Sequence, residues 1–485
     1  MPILSRKNCN FAFQREATGN RRGDPTTLSE DDLIPFEVFE EIDLPETFEE
    51  FTEYWRVNAG RNVSDMIGES IPVVDGSINF ELISGIPFKY ALGKCVTTVG
   101  KLETTTITTI ADIAGSLNNT YFTFTVVDSN TDDVKYYCWF NVNAAGVDPA
   151  PAGWTYGLEV ALATGATAND VAAAAQLIIN AVVSMTATNP GAPSDQLVLT
   201  NDELGLVTAT TDTGATGFGF VRTLAGVDNL HTITEDDDTD LPSLALYYQQ
   251  LYSAAADALM NLIGVHCNEL TLAIKKDAHI KGTFACKVPK SIISDYNGGA
   301  AITTLGTNTV GGGAPVAWSA FKYPNKIFEW AHLKGNWTLI LDAGDYIGSG
   351  AVDASGWGTE SAELKITNDL DLLPVMGDPN NDAPNAGKRE HEIVIFFFPE
   401  TDVGRLLRKI HPENYSCTLV AKIARGTRDY VQLTYSNLYV KNYPNKIPSI
   451  DDKSVGLEMT LRNNVGGTLA IAVKDKKGKI FYEVY

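Results

Sequence analysis

The residues that could do chemistry are few and dispersed. The six histidines lie at His231, His266, His279, His332, His391 and His411. No two of them are three or four residues apart, the spacing that places two imidazoles on one helix face to bind zinc. The sequence contains no GxSxG, HExxH or GxxxxGK[ST] motif, and no GxGxxG after a predicted strand. We therefore predict no catalytic, cofactor-binding or metal-binding residues, no cofactor, and a protein that is not an enzyme.

Two acidic segments offer the oxygen ligands that calcium prefers. The cluster Glu235–Asp238 with Asp240 lacks the Gly and the distal Glu of an EF-hand loop. The segment DPNNDAPNAGKRE at 378–390 carries several Asp and Asn oxygens between two predicted strands. We interpret the first as a solvated turn and the second as a long loop, with calcium binding as the alternative. Carboxylate pairs for glycoside cleavage are set by the fold, and nothing in the sequence singles one out.

Length and composition predict a folded protein of several domains. The 485 residues correspond to about two to four domains, and the 44% of hydrophobic residues can form a sizeable core. The net charge of -23 argues against a basic nucleic-acid groove or a polybasic membrane patch. Because no apolar run of 18 residues or secretory signal is present, we expect a soluble chain made in a cytoplasm. The six dispersed cysteines form no CxxC pair and are expected to be free, buried thiols.

Residues 1–65 are predicted to form an N-terminal arm. An acidic stretch follows a basic start, and PETFEEFTEYWRV at 45–57 has Phe48, Phe51, Tyr54 and Trp55 at helical spacing. The Pro in the first turn and the acidic residues after it also favour a helix start. This helix either covers its own domain or belongs to an arm that docks on a neighbouring subunit.

The next segments predict a β-rich module that is interrupted by an insertion. Residues 66–105 and 226–290 form the first module, with a short helix that ends at Gly93 and a clear hairpin at 268–288. Residues 106–225 have few Lys or Arg and are predicted as a small α/β domain. Its strands are 121–128, 134–143, 157–165, 196–202 and 204–212, and its helix at 171–185 follows the capping sequence Thr167–Asp170. Residues 253–263 are predicted as either a short helix or a loop.

The last third has the same style as the first module. Residues 291–320 contain the Gly-rich TNTVGGGAPV and are predicted as a linker, and residues 321–485 as a second module. One order of elements occurs twice: a strand, a short helix, a second strand and a strand pair. In the first module these elements lie at 77–83, 87–93, 243–251 and 268–288, and in the second at 391–398, 402–410, 416–424 and 436–463. We predict a structural duplication without sequence identity.

Five stretches together carry a family resemblance: SGIPFKYALG (84–93), HTITEDDDTDLPSLAL (231–246), NELTLAIKKDAHIKGTFACK (268–287), AELKITNDLDLLPVMGD (362–378) and KREHEIVIFFFPET (388–401). Their order resembles that in tail tube proteins of long, flexible-tailed (siphovirus-like) bacterial and archaeal viruses. The resemblance covers about residues 66–105 and 226–485, and it does not include the arm or the insertion.

The resemblance implies a mainly β fold with two tail-tube-type β-sandwich or barrel modules, short helices and a small α/β inserted domain. It implies a structural virion protein, assembled in the host cytoplasm, whose stacked rings form a conduit for genome ejection. Two modules per chain favour trimeric, pseudo-hexameric rings, and a single module would favour hexamers. The implied partners are other copies, the tape measure, terminator and distal tail proteins, and viral DNA that passes without specific binding. The insertion is expected to project outward as a decoration.

Three other functions remain as alternatives. The first is a β-sandwich adhesin that binds host surface glycans, and the second is a baseplate or distal tail component with the same fold. The third is a β-rich glycan hydrolase, which would need a cleft with paired carboxylates.

Overall fold

The structure is a computed structural model, and most of the residues it describes lie in β-strands. It describes residues 9–16, 38–43, 46–48, 53–55, 64–66, 72–128, 133–190, 195–236, 241–253, 256–288, 290–294, 304–307, 313–317, 327–333, 337–341, 351–352, 359–371, 385–397, 416–442 and 457–475. The predicted mainly β fold is confirmed, with large antiparallel sheets as its dominant feature.

The elements follow in chain order. The first group is β1 (Cys9–Arg15), β2 (Val38–Asp43), β3 (Glu46–Phe48), β4 (Glu53–Trp55), β5 (Ser64–Met66), β6 (Pro72–Glu81), α1 (Ile86–Leu92) and β7 (Gly93–Thr98). The second is β8 (Leu102–Thr108), β9 (Tyr121–Val127), β10 (Asp133–Val142), β11 (Tyr156–Leu162), α2 (Ala168–Ile179), β12 (Met185–Thr188), β13 (Gln196–Leu204), β14 (Thr211–Gly214) and β15 (Gly219–Leu224).

The chain continues mostly as strands. The third group is β16 (Leu230–Glu235), β17 (Leu244–Ser253), β18 (Ala256–Lys275), β19 (Lys281–Val288), β20 (Lys290–Ser294), β21 (Thr304–Thr307) and β22 (Gly313–Ala317). The last is α3 (Trp330–Leu333), β23 (Trp337–Leu341), β24 (Ala351–Val352), β25 (Thr359–Thr367), β26 (Leu370–Asp371), β27 (Asn385–Ala386), β28 (Glu390–Phe397), β29 (Cys417–Ala424), β30 (Tyr430–Asn442), β31 (Leu457–Asn463) and β32 (Leu469–Lys474).

One strand-pairing pattern occurs twice in the 18-stranded sheet. In the first repeat, β1 pairs with β17, β17 with β18, β18 with β19 and β20, β19 with β6, and β6 with β2. In the second, β23 pairs with β29, β29 with β30, β30 with β31 and β32, β31 with β28, and β28 with β25. All of these pairs are antiparallel and follow the same chain order. The strand pairing thus agrees with the predicted duplication, whose second helix at 402–410 lies outside the described residues.

The short helix α1 forms as the sequence predicts. Pro87 lies in its first turn, where a missing N–H costs nothing, and Ser84 Oγ accepts a hydrogen bond from the Ile86 N–H at 3.2 Å. Gly93 caps the C-terminus at φ +103°, a conformation that favours glycine. All seven residues of the helix are buried, so α1 lies inside the main core and packs on β16 and β18.

The helix predicted at 45–57 is wrong, because β3 and β4 are strands. The isolated helix would be short and therefore marginal, whereas pairing with β6 satisfies the backbone of β3 and pairing with β5 that of β4. In addition, β1 pairs with β17, and β2 pairs with β6. Parts of the predicted arm therefore belong to the main sheet.

Three smaller expectations also need correction. Within the segment 253–263, residues 256–263 form neither a helix nor a loop, since Ala256 begins the 20-residue strand β18. The predicted strand at 204–212 begins only at Thr211. The predicted helix after Thr167 ends at Ile179, where Asn180 turns its side chain to accept the Ala187 N–H at 2.7 Å.

The described residues contain two separate hydrophobic cores. The larger one includes Phe13, Ile78, Phe284, Leu364 and Ile471, so both repeats contribute to it. The smaller one lies between Ile107 and Phe218, within the sequence predicted as an insertion. There, α2 packs against sheets β11-β10-β9-β14 and β12-β13-β8-β15. The domain boundaries themselves stay predictions, and the region predicted as a linker at 291–320 contains the hairpin β21–β22.

Candidate assembly interface

The main contact between the repeats is a strand addition. Residues Glu269–Lys275 of β18 pair antiparallel with Ser361–Thr367 of β25, which in turn pairs with β28 of its own repeat. Leu270 pairs with the buried Ile366, and Lys365 Nζ lies 2.7 Å from Glu269 Oε2. A strand of the second repeat therefore completes a sheet edge of the first, through unlike surfaces.

Strand β18 changes its neighbours at Gly264. Residues up to Val265 pair with β17 or β20, and residues from His266 onward pair with β19 or β25. Gly264 has φ +72° at a register shift, and its N–H donates to both Glu16 carboxylate oxygens at 3.1 Å. The Ser243 hydroxyl donates to the same carboxylate at 2.5 Å, and Glu16 is only 3% exposed. Glu16, directly after β1, thus accepts the hydrogen bond of the β18 backbone at the point where this long strand changes its neighbours.

A second contact joins β16 to β32 of the second repeat, with β7 on the far side of β16. Within it, His231 Nδ1 lies 2.9 Å from Thr97 Oγ1, and His231 Nε2 lies 3.4 Å from Asp475 Oδ1. These residue types match a nucleophile–base–acid series. However, the His231 side chain is fully buried and Asp475 is 7% exposed, so the chain of contacts links β7 and β16 to the residue that follows β32.

The acidic residue Glu235 also stabilises this second contact. Its carboxylate accepts the Leu469 N–H at 3.0 Å and lies 3.2 Å from His391 Nε2. Burial, with a contribution from the nearby Arg389 charge, lowers the pKa of His391 to about 4, so the imidazole is neutral at pH 7. Glu235 therefore accepts a backbone hydrogen bond between strands. Of the two acidic segments considered for calcium, residues 237–240 and 378–384 lie outside the described residues.

The other histidines and the cysteines occupy separate places. His266 Nδ1 donates to Gly264 O at 2.6 Å, and His279 Nδ1 lies 2.9 Å from Glu81 Oε1. The histidine at position 411 lies outside the described residues. Four described cysteines, Cys138, Cys267, Cys286 and Cys417, are free and buried, as predicted, and Cys95 is partly exposed. Within the described segments, no group of three or more His, Cys, Asp or Glu side chains is arranged to hold a metal ion.

A polar cluster joins the smaller core unit to the main sheet. Arg428, between β29 and β30, donates to Asp133 Oδ1 and to the Leu206 carbonyl, and its Nε lies 3.4 Å from Asp228 Oδ1. Lys474 Nζ donates to the same Asp228 at 2.9 Å. Arg428 is 7% exposed, so its charge is compensated by partners from both units. The backbone pair Lys101–Val227 closes the two chain connections beside it.

Sequence inspection missed β1, β2 and the role of Glu16. The alternation of Phe11 and Phe13 in CNFAFQR was a signal for a strand. Nothing local could have indicated that Glu16 binds a backbone more than 200 residues away. Among the described residues, none of the helices has the length and hydrophobicity needed to span a membrane.

The sequence of this chain matches no protein-family model and has no significant match among curated proteins.

Proposed function

We propose that this chain is a structural virion protein that forms the tail tube of a long, flexible-tailed virus. In this proposal, rings of the chain stack into a hollow conduit through which the genome leaves the particle. The observation that carries it is the strand-pairing pattern that occurs twice, with β25 of one repeat completing the β18 edge of the other. The family resemblance of the stretches between 84 and 401 points in the same direction.

The unlike surfaces of the repeat contact favour a ring. A heterologous contact that is used again between chains produces either a closed ring or an open helix. Two repeats per chain let three chains supply six similar units, which is the geometry of a trimeric ring with pseudo-sixfold symmetry. Ring closure would also pair sheet edges that otherwise invite aggregation.

The charge of the chain suits a conduit for DNA. The net charge of -23 disfavours strong binding of phosphates, so DNA can pass without being held by specific contacts. The unit around the smaller core is proposed to project outward, because it would block passage on the inside. The other partners in this proposal are the tape measure, terminator and distal tail proteins, and the location is the virion tail.

Negative-stain electron microscopy of the purified full-length chain at rising concentration tests the proposal. We expect hollow tubes or stacked rings with a regular axial repeat. A variant with Lys365→Glu places two acids at the β25–β18 contact with Glu269, so it should disturb the contact between the two repeats of one chain and thereby reduce assembly. Compact single particles at every concentration, together with binding in a glycan screen, would instead favour an adhesin.

A further inference from the structure

One sheet face runs through both repeats without a break. Because β18 pairs with β25, the strands β6, β19, β18, β25, β28 and β31 form a continuous antiparallel series. Alternate residues along these strands, such as Leu272, Leu364 and Ile393, belong to the larger core. The residues between them lie on the opposite face, which we call the polar face. One of its rows of directly paired residues consists of Asn79, Thr283, Thr271, Lys365, Glu392 and Arg462, and the next consists of Ser77, Ala285, Glu269, Thr367 and Glu390.

Two bases of the polar face are held by acids of neighbouring strands. Lys365 Nζ lies 2.7 Å from Glu269 Oε2, and Arg462 Nη2 lies 2.6 Å from Glu392 Oε2. All four side chains are partly exposed, so solvent reaches both ion pairs. Exposed ion pairs contribute little to folding stability. Their main effect here is to neutralise two cations on a surface that a solute can reach.

The smaller unit is attached to other strands of the main sheet. The chain leaves this sheet after β7 and returns to it at β16, beside the backbone pair Lys101–Val227. The helix α1, whose residues are all buried, packs on β18 of the polar face and on β16. It therefore lies between the polar face and a strand that carries the smaller unit. If the smaller unit is on the outside of a tube, the polar face is directed inward.

We propose that the polar face lines the channel of the tube, where Glu269 and Glu392 prevent Lys365 and Arg462 from holding the phosphates of passing DNA. The inference rests on the proposed tube, and it names the surface that the nucleic acid meets. A free Lys or Arg gains affinity for DNA by replacing the counterions of a phosphate. Because the same side chains recur in every ring, even weak attraction would add up along a duplex and slow its passage. The paired acids remove this attraction.

Retention of a short fluorescent DNA duplex by sedimented tubes of the full-length chain tests the role of the acids. The double variant Glu269→Gln with Glu392→Gln keeps the size of both side chains and releases Lys365, while Arg462 keeps only the 3.7 Å contact with Glu390. Its tubes should retain about tenfold more duplex than native tubes at about 50 mM salt, and lose this excess at about 200 mM. The matched control, Glu159→Gln with Asp202→Asn, removes two exposed acids of the smaller unit and should retain no more duplex than native tubes.

Digestion with a deoxyribonuclease locates the retained duplex. Duplex held inside the channel should survive, because the walls shield it, whereas duplex on the outer surface should be degraded. Tubes of the double variant that retain no more duplex than native tubes, or only duplex that is degraded, would overturn this inference and leave the tube proposal intact. Absence of tubes from the native chain would contradict the proposed function and this inference with it.

Thiol labelling gives an independent test in tubes that keep both acids. Ala273→Cys places a thiol on the polar face between Lys281 and Glu363, and Val147→Cys places one on the smaller unit, where Val147 is 74% exposed. Assembled tubes are treated with biotin maleimide and then with streptavidin, and native tubes give the background of the chain's own cysteines. Mass spectrometry after dissociation measures the biotin on each chain.

We expect both introduced thiols to react, but streptavidin to decorate only the Val147→Cys tubes along their length. Streptavidin along the Ala273→Cys tubes would place the polar face on the outside and overturn the inference. An Ala273→Cys thiol that does not react would also overturn it, because the wall of an open channel is accessible to a small reagent.

Discussion

Removal of the Glu16 carboxylate should loosen the site where β18 changes its neighbours. Two donors depend on this carboxylate, the Gly264 N–H at 3.1 Å and the Ser243 hydroxyl at 2.5 Å. Each hydrogen bond to a charged, buried acceptor contributes about 1.5–3 kcal/mol. Partial entry of water would replace some of this, so we expect Glu16→Ala to cost about 3 kcal/mol. That loss corresponds to roughly a hundredfold increase in local opening.

Hydrogen exchange followed by mass spectrometry measures this opening directly. Peptides that cover residues 241–266 should exchange roughly a hundredfold faster in Glu16→Ala, and less so in Glu16→Gln, which keeps one acceptor oxygen. Ala in place of Glu458, an exposed glutamate on β31, is the control and should leave these peptides unchanged. Equal exchange in the Glu16 and Glu458 variants would refute the view that β1 is part of the first repeat.

Three further predictions follow from buried or capping groups. Ala at Arg428 should speed proteolysis at the connections near 101 and 227, since the charge that joins the two units is lost. Burial lowers the pKa of His266 to about 4, so stability should fall by up to about 3 kcal/mol as pH drops from 6.5 to 4. Thermal melts against pH measure this. Thr167→Ala removes the capping box with Asp170 and should destabilise α2 by about 1 kcal/mol, seen as faster exchange in 168–179.

Each of these has a result that would count against it. For Arg428→Ala it is an unchanged cleavage pattern. For His266 the sign matters: the native imidazole binds its proton less readily than the unfolded one, so a melt that becomes more stable toward pH 4 would contradict the assignment. For Thr167→Ala it is exchange in α2 equal to that of the native chain.

Local patterns in the sequence predicted the elements whose signals are strong. The buried side chains Ile78 and Phe80 alternate along β6, and Thr167 with Asp170 forms the predicted capping box of α2. The hairpin of β18 and β19 also follows from its alternation and its charged turn. In these elements, the spacing of the apolar residues, the helix-capping residues and the turn residues all favour the same structure.

Long-range contacts could not be predicted in this way. The helix periodicity at 45–57 was misleading, because short stretches such as β3 obtain their hydrogen bonds from distant strands. The pairing of β18 with β25 joins segments about 90 residues apart, and no local signal specifies such a partner. The buried residues Thr97, His231 and Asp475 lie on β7, on β16 and directly after β32, segments that only the fold brings together.

A cryo-electron microscopy map of the assembled full-length chain would test the proposed function most directly. We predict rings of three copies, each copy contributing two similar β units to an inner wall of continuous strands. The smaller unit between 102 and 224 should lie on the outside. A ring of six copies with one β unit per copy in the wall, or density for 102–224 inside the channel, would contradict this account.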